Sequence, residues 1–168
     1  MPYVDHFKLA DDIIDHLDTV VPAIGDPFIS SRYVGMVAIS AVTVYELCIR
    51  DIFGDFAKKK HKVLGKFTES YFRRINGRIK LETLREDYIR RFGGRYESRF
   101  KSKLKRLEAG VLRAEKVSVS ASYGNVIQWR NSFAHEGKVP STVTYAEAVA
   151  AYRTGKHVVH CLAETMRR

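Results

Sequence analysis

Arg130-Asn131-Ser132-Phe133-Ala134-His135 puts an arginine, an asparagine and a histidine within six residues, a set of side chains able to hold a phosphate and move a proton. A guanidinium is permanently charged and presents planar paired donors that match phosphate oxygens. An imidazole titrates near neutrality and can serve as base or acid. Asn131 and His135 are four residues apart, one helical turn, so the amide could fix the imidazole's orientation and tautomer. Arg130 and His135 are five apart, about 140° round an ideal helix, and converge only through the length of the arginine or an unwound last turn. The trio interrupts an apolar pattern. Tyr123, Val126, Ile127, Arg130, Phe133 and Ala134 recur at the spacing of one buried helical face, with Gly137 as the stop. A guanidinium in such a stripe needs an anion or an escape into a cleft, because burying it unpaired is costly.

The elements that must position this stretch are helices. Leu9, Ile13, Leu17, Val20 and Val21 predict an amphipathic first helix from about residue 5 to 21, with Asp11, Asp12, Asp15 and Asp18 on its wet side. Pro22 and Gly25 break it, and Asp26-Pro27 supplies an N-cap and a first-turn proline for a long second helix from about 27 to 56. Its core stripe is Val34, Val37, Ala38, Ala41, Tyr45, Cys48, Ile49 and Ile52, with Glu46 at the edge and Arg50 one turn later. Two or three shorter helices follow, separated near Asn76-Gly77 and Gly93-Gly94, the last ending near Lys116. Ser118, Ser120 and Ser122 offer N-caps for the motif helix, and Thr144-x-x-Glu147 is a capping box for a final amphipathic helix. Its apolar face is Tyr145, Ala148, Val149, Tyr152, Val159, Leu162, Ala163 and Met166. The chain is therefore all-α, an up-and-down bundle of five to seven helices in one domain spanning 1–168.

The charge is uneven. The chain carries a formal net charge of +10, yet residues 57–106 hold 18 Lys or Arg against 5 Asp or Glu, net +13. Interleaved with Tyr71, Phe72, Tyr88, Tyr96 and Phe100, that excess suits phosphate contact with some base stacking. The candidate contacts are Arg73, Arg74, Lys101, Lys103, Lys105 and Arg106, the last four in the densest run. Such contacts position a strand without reading its sequence. Cys48 and Cys161 lie in apolar helical patterns and read as buried thiols in a reducing compartment. The longest uncharged apolar run, residues 33–45, falls short of the ~18 residues of a membrane span, and no basic region leads into an apolar one at the N-terminus. The expectation is a soluble cytoplasmic protein without membrane contact. The six histidines are scattered and no CxxC, HExxH or glycine-rich phosphate loop occurs, so neither metal nor cofactor is expected.

The RN-x-x-AH form, the glycine stop, its place near the end of the penultimate helix and the all-helical pattern together resemble the HEPN superfamily, and in particular its stand-alone bacterial members. The resemblance covers residues 5–56 and 107–168 and leaves the basic segment as a helical insertion. It implies a metal-independent endoribonuclease or ribonuclease toxin, active as a homodimer whose two motifs meet in one cleft. By the same resemblance the biology is toxin–antitoxin or antiphage defence, with an antitoxin or a nucleotidyltransferase as a possible partner. Arg130, Asn131 and His135 would be the catalytic set, joined by Glu46, since the family often has a polar or acidic residue in the second helix. Other members bind RNA or nucleotides without cleaving them. A purely structural reading also stands: a buried Arg130–Glu46 ion pair tying two helices, with His135 a C-terminal cap favoured by the helix dipole. A third reading is a protein-interaction subunit whose basic face docks an acidic partner.

Overall fold

The structure, a computed structural model, describes residues 2–73, 75 and 77–167. Among these residues there are six α-helices and no strand: α1 (Phe7–Val20), α2 (Pro27–Lys60), α3 (Lys62–Phe72), α4 (Gly94–Glu115), α5 (Val119–Glu136) and α6 (Tyr145–Met166). Short 3₁₀ turns precede and follow α1, and a π-type turn (Thr83–Tyr88) runs into a 3₁₀ turn (Ile89–Phe92) between α3 and α4.

The axis of the bundle is α2. Its 34 residues extend about 51 Å at the α-helical rise, and α1, α3, α5 and α6 all pack on it. The Asp26 carboxylate accepts from the Phe28 N–H at 2.8 Å, and Pro27 occupies the first turn. Every residue of the stripe expected from the sequence is buried, and the helix runs four residues past its expected end. Lys58, Lys59 and Lys60 fill that extra turn, where cations favour the helix C-terminus.

Three tyrosines lock the bundle. The Tyr45 ring stacks on Tyr123 of α5 and Tyr152 of α6, with centroids 5.3 and 5.9 Å away. None of their buried hydroxyls is left without an acceptor, as buried polar groups require. Tyr45 donates to the Tyr152 carbonyl at 2.6 Å, Tyr123 to the Ile79 carbonyl at 2.7 Å, and Tyr152 to the Asp11 carboxylate at 2.9 Å. Burial raises all three phenols well above their ordinary range.

The face of α1 differs from the expected one. Phe7, Ala10, Ile14, Leu17 and Val21 are buried, while Leu9 and Ile13 are 55% and 43% exposed. Leu17 and Val21 belong to both faces, so the helix is turned by less than one residue, roughly 70°. In that orientation the half-exposed Asp11 carboxylate reaches α6, receiving Lys156 at 2.7 Å and the Tyr152 hydroxyl, while the Phe7 ring joins the core.

The basic segment is built into the core. Phe72, Ile75, Ile79, Leu84, Tyr88, Ile89, Tyr96 and Phe100 belong to the same buried cluster as the stripe of α2, and α4 crosses residue 106 without a break. Of the aromatic residues the sequence offers for stacking on bases, Phe72, Tyr88, Tyr96 and Phe100 are buried and Tyr71 is exposed, as is the neighbouring Phe67.

Candidate functional site at the end of α5

The Ser118 hydroxyl caps α5, accepting from the Ala121 N–H at 3.0 Å, and Gly137 ends it with φ +65° in the left-handed region that favours glycine. Tyr123, Val126, Ile127 and Trp129 are buried, but the last turn runs beyond the core. Arg130, Asn131 and Phe133 are half-buried, and Ala134 and His135 are exposed. The expected stripe therefore fails at Ala134, and Trp129, outside it, is buried.

Arg130 is held from two sides. Its guanidinium donates to the Asn131 side-chain oxygen at 3.0 Å. On the other side lies Gly77 from the turn between α3 and α4. A Cβ on Gly77 would stand 2.8 Å from an Arg130 nitrogen, and its φ of +79° disfavours any other residue. The turn is pinned by the buried Ile75 and Ile79, by the Tyr123 hydroxyl on the Ile79 carbonyl and by the Tyr88 hydroxyl on the Arg78 carbonyl at 2.9 Å. The Gly77 N–H donates in turn to the Glu46 carboxylate. Glu46, Gly77, Arg130 and Asn131 are thereby brought together from α2, the turn and α5.

Burial raises the Glu46 carboxyl above its ordinary value, against the opposing pull of the Gly77 N–H, Arg130 and Arg50. Among the described residues no carboxylate closes to ion-pair distance on Arg130; its hydrogen-bond acceptor is a neutral amide. Nor does a hydrogen bond join Asn131 to His135; the amide oxygen is turned to Arg130. Asn131 also borders an open cavity of about 380 Å³ with Lys80, Gln128 and Ser132. On the other flank Phe133 and Gly137 border a second, of about 330 Å³, with Phe28, Arg32 and Lys138. Gly77 was legible in the sequence only as part of a helix separator, with nothing to show which side chain its turn would cover.

The cations of α4 do not form one patch. Lys101 pairs with Glu97 at 2.9 Å and shares with Lys105 a cleft towards Glu108 and Ser120. Lys103 pairs with Glu164 of α6 at 2.7 Å and shares with Arg106 a cleft towards His157 and His160. Spacings of four and three residues keep each pair together, and the two-residue offset between Lys101 and Lys103, about 200°, puts the pairs on different flanks of the helix. Arg73 is exposed at the end of α3, and Arg74 lies outside the described residues. Among the described residues no three of His, Cys, Asp and Glu gather as a metal site would need, and no helix is long and apolar enough to cross a membrane.

The all-α architecture is consistent with a HEPN-type helical bundle. The family model described as RiboL-PSP-HEPN matches residues 5–167, basic segment included, and the chain belongs to that family. No curated protein and no solved structure matches it. Membership points to nuclease or RNA-related work.

Proposed function

We propose that this protein is a metal-independent endoribonuclease whose site is shared by two copies of the chain. One His135 takes the proton of an RNA 2′-hydroxyl, and the freed oxygen attacks the adjacent phosphorus. The bond to the 5′-oxygen breaks as the second copy's His135 returns a proton to it, leaving a 2′,3′-cyclic phosphate and a 5′-hydroxyl. Arg130 holds the phosphate and offsets the charge that builds on its oxygens. Asn131 and Gly77 fix the guanidinium in place, and Glu46 is a positioning residue that acts through Gly77.

The observation that carries this reading is the state of Arg130. Its charge is half-exposed, oriented by an amide and a glycine and not quenched by a contacting carboxylate, with an exposed imidazole in the next turn. An ion pair serving only to tie α2 to α5 would be closed. A site for a phosphate is left open in this way.

A second copy has a place to pack. Ile29, Met36 and Ile39 of α2 are exposed along one stripe, beside Arg32, which borders the cavity at the α5 terminus. The resemblance to stand-alone bacterial members supports a role as toxin or antiphage effector, with an antitoxin or nucleotidyltransferase as restraining partner. The second reading, a non-catalytic RNA or nucleotide binder, is favoured by one feature: no amide orients His135.

Incubation of end-labelled total RNA with wild type and His135→Ala in EDTA separates the two. Cleavage by wild type, leaving cyclic phosphates, and a rate about 10²- to 10⁴-fold lower in the variant are expected. RNA shifted but uncut by both proteins would select the binding module.

A further inference from the structure

A second feature lies away from the motif. The C-terminal turns of α2, the face of α3 and the segment leading into α4 enclose an open cleft of about 390 Å³, within the range of small-ligand sites. Phe72 and the half-buried Phe92 line its floor, and behind them the buried Phe53 ring is parallel to both, with centroids 4.7 and 5.3 Å away. At its mouth Phe67 is 68% exposed and Tyr71 41%, their rings 16° from parallel. Three cations rim it. Lys60 lies 5.5 Å from the centre of the Phe56 ring, Arg91 lies 5.2 Å from that of Tyr71, and Arg95 lies 4.8 Å from that of Tyr96. Among the described residues lining the cleft there is no Asp or Glu.

We propose that this cleft holds an unpaired nucleotide of a single-stranded RNA, the base against Phe67 and Tyr71 and the phosphate on Lys60, Arg91 and Arg95. The proposal takes RNA as the ligand from the reading above and adds a binding site remote in sequence from Arg130 and His135. Three features select this occupant. Rings and cations alternate around one rim, as a ligand with a flat π-face and an anionic link requires. The planar guanidinium of Arg91 already lies against a ring, the arrangement in which arginine supports a stacked base. An acidic peptide would use the cations and leave the exposed rings idle, whereas an apolar helix would use the rings and leave three charges without partners.

The test is fluorescence anisotropy with a labelled 2′-O-methyl oligoribonucleotide of about 12 nucleotides, long enough for a single-strand site and lacking the hydroxyl needed for cleavage. Phe67 is exposed, so its replacement leaves the core intact. Phe67→Ala is expected to bind about 5- to 20-fold more weakly, and Arg91→Gln more weakly with a salt slope lower by about one. Phe67→Trp is expected to bind as well as wild type and to be quenched by the strand. Quenching by adenosine monophosphate at comparable concentration would show that one free nucleotide fills the site; quenching by the strand alone would show that neighbouring phosphates are needed. Wild-type affinity in Phe67→Ala, or an unquenched Phe67→Trp, overturns the proposal. So does loss of self-association in Phe67→Ala with RNA binding intact, which would make the cleft a contact between copies. Because the probe is uncleavable, its affinity is read without turnover, so the binding result stands or falls apart from the cleavage result.

Discussion

At the scale of single residues, the distinction between a structural and a functional Arg130 turns on Glu46. A carboxylate recruited to neutralise Arg130 would have its proton affinity lowered; the Glu46 carboxyl is instead raised, burial outweighing the Gly77 N–H, Arg130 and Arg50. A raised carboxyl binds its proton more tightly folded than unfolded. The resulting stabilisation is complete below the ordinary value of 4.5 and is lost as pH rises through the folded value. Glu46→Gln keeps an acceptor for Gly77 and removes the titration. Urea unfolding from pH 4 to 7.5 should therefore show wild type losing stability relative to Glu46→Gln as pH rises. The opposite slope would mean that attraction to Arg130 dominates and that the ion-pair reading is right. Much of this site was legible in the sequence: the trio Arg130, Asn131 and His135 on one helix, and Glu46 on a core edge. The partners were not. Spacing within a helix shows that Asn131 can reach His135; only a neighbour 53 residues earlier, Gly77, shows where the guanidinium rests and hence which way the amide turns.

At the scale of elements, the helices follow from their punctuation. Asp26-Pro27, Ser118, Gly137 and the reciprocal Thr144–Glu147 box all cap where the sequence places them. Which side a helix buries is less legible when two stripes compete. Leu9 and Ile13 form as regular a pattern as Ala10 and Ile14, and the choice between them rests on Asp11 finding Lys156 and Tyr152 on a distant helix. Close approach between elements is equally hidden. Gly35 of α2 sits under the Phe133 ring of α5, where a methyl group would overlap ring atoms. That contact sets how the last turn of α5 lies on α2, and with it the position of His135. Gly35→Ala should cost about 1–3 kcal/mol in unfolding free energy as the ring is forced aside. Combining it with Phe133→Leu, which vacates the space, should recover part of that loss, a non-additivity expected only of residues in contact. Additive losses in the double variant would mean that the two do not meet.

At the scale of the whole molecule, the question is what covers α2. Most of that helix is enclosed by α1, α3, α5 and α6, yet Ile29, Met36 and Ile39 face outward along one line. The stripe stands beside Arg32, and through it beside Phe133 and Gly137 at the end of the motif helix. A two-fold contact pairs the same surface on both copies, so packing this stripe against itself would bring two α5 termini towards one cleft. One chain supplies only a single histidine from the motif, whereas the proposed reaction uses an acid and a base; assembly and activity should therefore fail together. Met36→Glu places a charge at the middle of the stripe, on a residue 49% exposed in the monomer. Its cost to the fold should stay within about 0.5 kcal/mol, as for other surface substitutions. Sedimentation should show wild type at twice the 19.2 kDa of the chain and Met36→Glu as a folded monomer, and the monomer should bind RNA without cutting it. A monomeric variant that cleaves as well as wild type would remove the need for a second copy and require both proton transfers from one subunit.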